Sequence, residues 1–167
     1  MKETLKVIKE LEKDKIISAY AIGGGIAATY YLEPLLTFDL DIFFIPVQER
    51  LDILTPIYEC LREKGFRPRQ EQVLIGGIPV QFIPAYNALI EEAVRQAKTA
   101  AYQHLKVRIL GIEHLIAIGL QTFRPKDRER IVRFLDEAKV DHRRLHDILK
   151  DHGLLDKYKK FKDSRIG

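Results

Sequence analysis

The stretch Ile16-Ile17-Ser18-Ala19-Tyr20-Ala21-Ile22-Gly23-Gly24-Gly25-Ile26-Ala27-Ala28, read with Thr37-Phe38-Asp39-Leu40-Asp41-Ile42-Phe43-Phe44-Ile45, decides the fold. Ile16 to Ile22 is an apolar run of strand length. It passes through three glycines into Ile26 to Glu33, a helix halted by Pro34. Phe38 to Ile45 is a second strand by its β-branched and aromatic content and its alternation. A glycine turn between strand and helix presents backbone N–H groups that have no intrahelical partner, at the positive end of the helix dipole, which favours an anion. Alternate residues of a strand share a face, so Asp39 and Asp41 project together while Phe38, Leu40 and Ile42 face the other way. Paired carboxylates beside a sheet core repel each other and lose hydration unless a cation offsets both. Their oxygens suit Mg2+ or Mn2+ shared with a phosphate-bearing molecule. The plain alternative is that both lie in water at a frayed strand end.

Outward from this stretch, Leu5, Ile8 and Leu11, with Val7, predict an amphipathic helix from Glu3 to Lys13. Gln48 to Lys64 reads as a helix interrupted at Pro56 and stopped by Gly65. Val73 to Ile75 and Ile78 to Ile83 flank Gly76-Gly77, a hairpin signature. Asn87 to Lys98 predicts a helix and Thr99 to Ile109 a second hairpin. From there the pattern is helical: Ile112 to Phe123, Lys126 to Lys139, Asp141 to Asp151 and, after Gly153, Leu154 to Phe161. The expected class is α+β, a short mixed sheet flanked by helices over residues 1–110, with a helical C-terminal part over 111–167 packed on it.

The 167 residues, 46% hydrophobic and 31% charged, suffice for a real core and exclude disorder. No apolar run approaches the ~18–20 residues of a membrane span, and the charged start lacks a signal-peptide core. The single cysteine, Cys60, forms no internal disulfide and reads as a packing residue, so the expected location is cytoplasmic. The net charge of +4 is localised: Lys139 to Gly167 hold nine Lys/Arg and five Asp/Glu, and the preceding residues balance. Such a surface attracts phosphates or nucleic acid, or is an ordinary solvated helical face.

These residues resemble the nucleotidyltransferase superfamily, the fold of DNA polymerase β, and within it the small bacterial proteins related to the AbiEii toxin. The shared pattern is a Gly-Gly turn opening a helix, about a dozen residues, then Asp-x-Asp on the next strand. Here 13 residues, Ile26 to Phe38, separate Gly25 from Asp39. Thr37-Phe38-Asp39-Leu40-Asp41, Ile112-Glu-His-Leu-Ile-Ala-Ile-Gly-Leu120, Arg124-Pro-Lys-Asp-Arg-Glu-Arg-Ile131 and His152-Gly-Leu-Leu155 are similar to further runs of that branch. The resemblance implies metal-dependent transfer of a nucleoside monophosphate from an NTP to RNA or protein, in a toxin–antitoxin setting. Asp39 and Asp41 would hold the Mg2+ or Mn2+ ions and Gly23, Gly24 and Gly25 the phosphates. Lys126 would neutralise phosphate charge with Asp127 orienting it, although Pro125 and Asp127 equally suit a helix start. Arg143, Arg144, Lys157, Lys159 and Lys160 would contact a tRNA or other RNA acceptor.

The sequence departs from that pattern in three places. The later strand that carries a third carboxylate in active relatives has Gln81 there, and an amide cannot accept a proton near pH 7. Gly119 stands where many relatives have Lys, and Gly25 where the turn usually has Ser. Either another acid substitutes, with Glu71 the nearest on the hairpin, or the chain is a degenerate member acting as a regulatory or antitoxin-like protein partner. A third reading is a nucleic-acid module using the basic tail alone. His142 and His146 have a spacing compatible with zinc but lack the Glu of His-Glu-x-x-His, and also read as a polar helix face. Tyr30 and Tyr31 are candidates to stack a base or to fill the core. No P-loop motif is present, and a dinucleotide-binding reading fails because the acids arrive as a pair on the next strand.

Overall fold

A computed structural model of the chain describes residues 1–32, 39–48, 52–102 and 104–166. Two strands form its centre: β1 (Ile17–Ile22) and, antiparallel to it, β2 (Leu40–Pro46). Apart from Ser18 and Asp41, their side chains are mainly apolar on both faces. Ile22, Leu40 and Ile42 are fully buried, and Phe44 and Tyr20 nearly so. On the far side of β2 lies β5 (Ile78–Pro84), parallel to it, with Asp41 opposite Gln81. The edge beyond β5 is built by β3 (Pro68–Arg69) and β4 (Gln72–Ile75), each antiparallel to its neighbour. Beyond β1 come β7 (Leu105–Ile109), parallel to β1, and its hairpin partner β6 (Lys98–Tyr102). The mixed sheet has the order β3-β4-β5-β2-β1-β7-β6.

Helix α1 (Lys2–Lys13) buries Leu5, Val7, Ile8 and Leu11 as one stripe, as its spacing predicts. Its Thr4 hydroxyl donates to the Ile75 carbonyl at 2.9 Å, tying the helix to the end of β4. The adjoining turn has Gly76 and Gly77 at φ +57° and +77°, the left-handed geometry a two-residue hairpin demands. Helix α2 (Gly24–Tyr31) opens directly on the glycine turn. Helix α3 spans only Thr55–Glu63, with Pro56 in its first turn. The expected start at Gln48 is thus corrected: a proline without an N–H suits a helix opening and not its interior. Pro34, Thr37, Phe38, Glu49, Arg50 and Leu51, on which parts of the sequence reading rest, lie outside the described residues.

Helix α4 (Ala88–Arg95) is capped by Asn87, whose side chain accepts from the Ile90 N–H. The C-terminal part comprises α5 (Ile112–Thr122), α6 (Pro125–Glu137), α7 (His142–Asp151) and α8 (Leu155–Ile166). Every residue of α5 from Ile112 to Leu120 is buried, because α2, α4, α6 and α7 all pack on it. One continuous apolar core runs from Leu5 to Phe161. No helix among the described residues is long and apolar enough to cross a membrane.

Candidate active site

At the end of β1 the Gly23 N–H donates to the Asp41 carbonyl at 3.0 Å, so the glycine turn is stitched to the strand bearing the aspartates. Gly24 follows at φ +58°, and a Cβ there would lie 1.8 Å from Asp41 Oδ2. Only glycine fits: the backbone is left-handed and the carboxylate occupies the place of a side chain. The α2 N-terminus and the Asp41 carboxylate are therefore in contact. Gly23 is excluded from substitution by Phe43, whose ring a Cβ would meet at 2.2 Å.

A cleft with a cavity of about 210 Å³ opens here, walled by Gly24 and Gly25, by Asp39, Asp41 and Gln81 from the sheet, and by α5 and α6 on the opposite side. Asp39 is exposed and Asp41 half-buried. Burial pushes the Asp41 carboxyl above its ordinary range; Lys126, Arg130 and Arg124 pull it down, and Asp39 adds to the upward push. Three cations of the α6 side thus face the acidic pair. Lys126 is among the residues singled out by sequence; Arg124 and Arg130 are not, although Lys126 and Arg130 sit four apart and so share a helix face.

Asp127 does not orient Lys126. Its carboxylate accepts from Arg124 Nε at 2.7 Å, from the Thr122 hydroxyl at 2.8 Å and from the Arg124 N–H at 3.2 Å. Burial would raise this carboxyl, but the hydrogen bonds from Arg124 and Thr122 hold it below the usual range. The helix-start reading of Pro125 and Asp127 is the one realised, in a capping box with Arg124. That box also fixes the guanidinium at the cleft wall.

Gly119 lies where α5 and α6 approach, and a Cβ would sit 3.2 Å from Ile131. A side chain there would ask the Ile131 side chain to give way slightly, and the positive charge at the cleft comes from Arg124, Lys126 and Arg130 instead. Gln81 lines the cleft, and its amide donates to Glu71 Oε2 at 3.4 Å. Glu71 reaches the amide from the β3–β4 turn and is not part of the cleft wall. Of the two stacking candidates, Tyr31 donates its hydroxyl to the Leu110 carbonyl at 3.0 Å, and its phenol is pushed up to about 12 by burial. Tyr30 packs edge-on against Tyr31, and neither lines the cleft.

Among the described residues no three His, Cys, Asp or Glu side chains converge, so neither the His142–His146 pair nor the Asp pair forms a self-sufficient cage. Two carboxylate ligands, one pressed on a glycine at a helix N-terminus, fit a hard cation that completes its shell with phosphate oxygens and water. Cys60 is half-buried, and burial raises its thiol, the opposite of activation.

The fold recurs among solved proteins. The chain resembles an antigenic nucleotidyltransferase-like protein from Paracoccidioides brasiliensis, with a TM-score of 0.54 and 14% identity over 96% of this chain and 91% of that one. It also resembles ANT(2")-Ia, solved with adenylyl-2"-tobramycin, at a TM-score of 0.49 and 15% identity over 98% and 97% of the two chains. No family model matches the chain, and neither does any curated protein sequence. The likeness to the first structure is one of fold: this chain has the α+β nucleotidyltransferase fold.

Proposed function

We propose that the cleft binds a nucleoside triphosphate with Mg2+ and transfers its nucleoside monophosphate to an acceptor hydroxyl. The observation that carries this reading is the contact of the Asp41 carboxylate with Gly24 at the opening of α2. It supports the reading because a cation held by that carboxylate would lie beside backbone N–H groups suited to phosphate. A bound Mg2+ would supply charge neutralisation at the bridging and leaving oxygens. Asp39 and Asp41 would hold the ion, Gly24 and Gly25 the β/γ-phosphates, and Lys126, Arg124 and Arg130 the charge developing on the leaving pyrophosphate. The acceptor oxygen bonds to the α-phosphorus as the bond to the β-phosphate oxygen breaks, and the hydroxyl proton passes to solvent or to Asp39. Arg143, Arg144, Lys157, Lys159 and Lys160 are the candidate contacts for an RNA acceptor.

Calorimetry with Mg·ATP tests this. Micromolar-range binding is expected in the wild type and none in Asp39→Ala/Asp41→Ala; equal binding by both proteins removes the proposal. A second reading, nucleotide binding without transfer, is favoured by Gln81 standing opposite Asp41 where a proton acceptor is wanted. It predicts that no label passes from α-labelled NTP to any macromolecule of a cell extract. Label transfer that requires Asp41 would refute it.

A further inference from the structure

We propose that α1 and β7 form a docking groove for an acidic amphipathic helix of a partner protein, separate from the cleft around Asp41. Lys2, Lys6, Lys9 and Lys13 stand at i, i+4, i+7 and i+11 of α1. At 3.6 residues per turn they fall within about 60° of one another and make one stripe roughly 16 Å long. Lys106 of β7 joins them in lining a groove of about 720 Å³ whose apolar members are Leu5 and Leu105. All five lysines are exposed, Leu105 is half-buried and Leu5 is buried. The groove and the cleft share no lining residue, so the inference does not depend on what the cleft binds.

The acids of α1 are engaged outside that stripe. Glu10 pairs with Lys64 of α3 at 2.9 Å and Glu12 reaches Arg108 at 4.0 Å. The Glu3 carboxylate lies at the β4–β5 turn, where a Cβ on Gly76 would meet its Oε2 at 2.9 Å. None of the five lysines closes an ion pair with a described residue. Like charges three and four residues apart on a helix repel, and Lys2 sits at the positive end of the dipole. The stripe therefore costs the isolated chain stability that an acidic partner would restore. The class of partner follows from the lining. It holds no aromatic ring on which a nucleic-acid base could stack and no arginine to grip phosphate in bidentate fashion. Leucines set among lysines match a helix with an apolar stripe flanked by carboxylates, whose own spacing of three and four sets an acid opposite each lysine over three turns. A second copy of the chain would bring lysine against lysine.

The experiment is calorimetry of the full chain with synthetic helical peptides capped at both ends. The first carries Leu along one face and Glu on both flanks, the second has Ala for Leu, and the third has Lys for Glu. An oligouridylate and phosphatidylserine vesicles are the remaining probes. Expected is micromolar-range binding of the first peptide, weakening as salt rises, and none of the third. Affinity should fall about tenfold in Lys6→Glu/Lys9→Glu, and about as far when the Ala peptide replaces the Leu peptide. Lys6→Gln/Lys9→Gln should lose a smaller part, and it carries the test should charge reversal unfold α1. Mg·ATP binding should be the same in wild type and both variants, so a failed cleft and a failed groove are told apart. No binding of the first peptide to wild type, or equal affinity for wild type and the lysine variants, overturns the groove. So does equal affinity for the Leu and Ala peptides, which leaves only general charge attraction. Lysine-dependent binding of the oligouridylate or the vesicles without the peptide overturns it in favour of a nucleic acid or a lipid surface.

Discussion

At Asp41 a carboxylate is held against the α-carbon of Gly24 in surroundings that strip it of water. Its folded-state carboxyl lies above the ordinary 3.8, so the fold favours the neutral form. That favourable contribution is present below pH 3.8 and is lost as pH rises through the raised value; at neutral pH the ionised group is a net burden. Asp41→Asn should therefore unfold in urea with a stability equal to or about 1 kcal/mol above wild type while losing Mg·ATP binding. Destabilisation of that size instead would show that the charge is already satisfied within the protein. For the wild type, Mg·ATP affinity should rise with pH across the acidic range and level off once Asp41 is ionised. Gly24→Ala meets both a carboxylate and a left-handed backbone and should lose 2 kcal/mol or more, roughly, together with nucleotide binding. Gly77→Ala is the control: its φ is also positive but nothing lies within 4 Å, so about 1–2 kcal/mol of backbone strain is expected and no change in binding.

Among the elements, α4, α5 and the end of α7 meet at a polar junction at the edge of the apolar core. Glu92 of α4 accepts from His114 Nε2 at 2.9 Å with one oxygen and from His152 Nε2 at 3.0 Å with the other. An ionised carboxylate only accepts, so both rings carry their proton on Nε2. Nearby, Glu113 Oε1 accepts from the Asp141 N–H at 3.0 Å, and Arg144 donates to Gln96 at 3.0 Å, closing α7 onto α5 and α4. Burial depresses His114 below 6.5 against the opposing pull of Glu92, with Arg144 depressing it further and Glu113 opposing. Burial would raise Glu92, but the hydrogen bonds from His114 and His152 hold it below 4.5. Both shifts have the same consequence. The unfolded chain binds more protons, so stability present at neutral pH is lost as pH falls through 6.5 and then through the carboxylate range. The melting temperature should drop from pH 7 to pH 5. In His114→Gln, which keeps a donor toward Glu92, the part of that drop near pH 6.5 should disappear; an unaltered profile would mean His114 contributes nothing to it. The junction uses His114 and His152, each inside a run noted for its resemblance, yet no local pattern shows that Glu92 lies between them. Three separate elements must pack before they meet.

For the molecule as a whole, the boundary between residues 1–110 and 111–167 divides sequence patterns more clearly than it divides the core. Helix α5 is buried from Ile112 to Leu120, and the apolar core is continuous across the boundary. Residues 1–110 expressed alone should lack cooperative unfolding and dispersed amide resonances. The full chain should unfold in one transition with coincident near- and far-ultraviolet signals. A folded 1–110 fragment would show that the sheet and its helices are self-sufficient. Arg165 of α8, which pairs with Asp136 of α6 at 2.7 Å, lies on the surface and should contribute well under 1 kcal/mol, roughly, to this cooperativity.

Read alone, the sequence determined most of the elements, the mixed sheet, and the placement of Gly23–Gly25 and Asp39/Asp41 at the ends of adjoining strands. Those features rest on local chemistry: strand alternation, glycine at left-handed turns, and helical spacing. Strand β3, two residues long, has no period to read, and α3 begins later than its apolar pattern because Pro56 governs the start. The tertiary structure alone decided that Asp41 touches Gly24 and that α6 supplies Arg124 and Arg130. It likewise decided that Asp127 serves the helix cap, that Glu71 stops at Gln81, and that Tyr30 and Tyr31 stand outside the cleft wall. Each of these depends on distance between segments far apart in the chain, and such distances are set by how whole elements pack, which no short window of residues encodes.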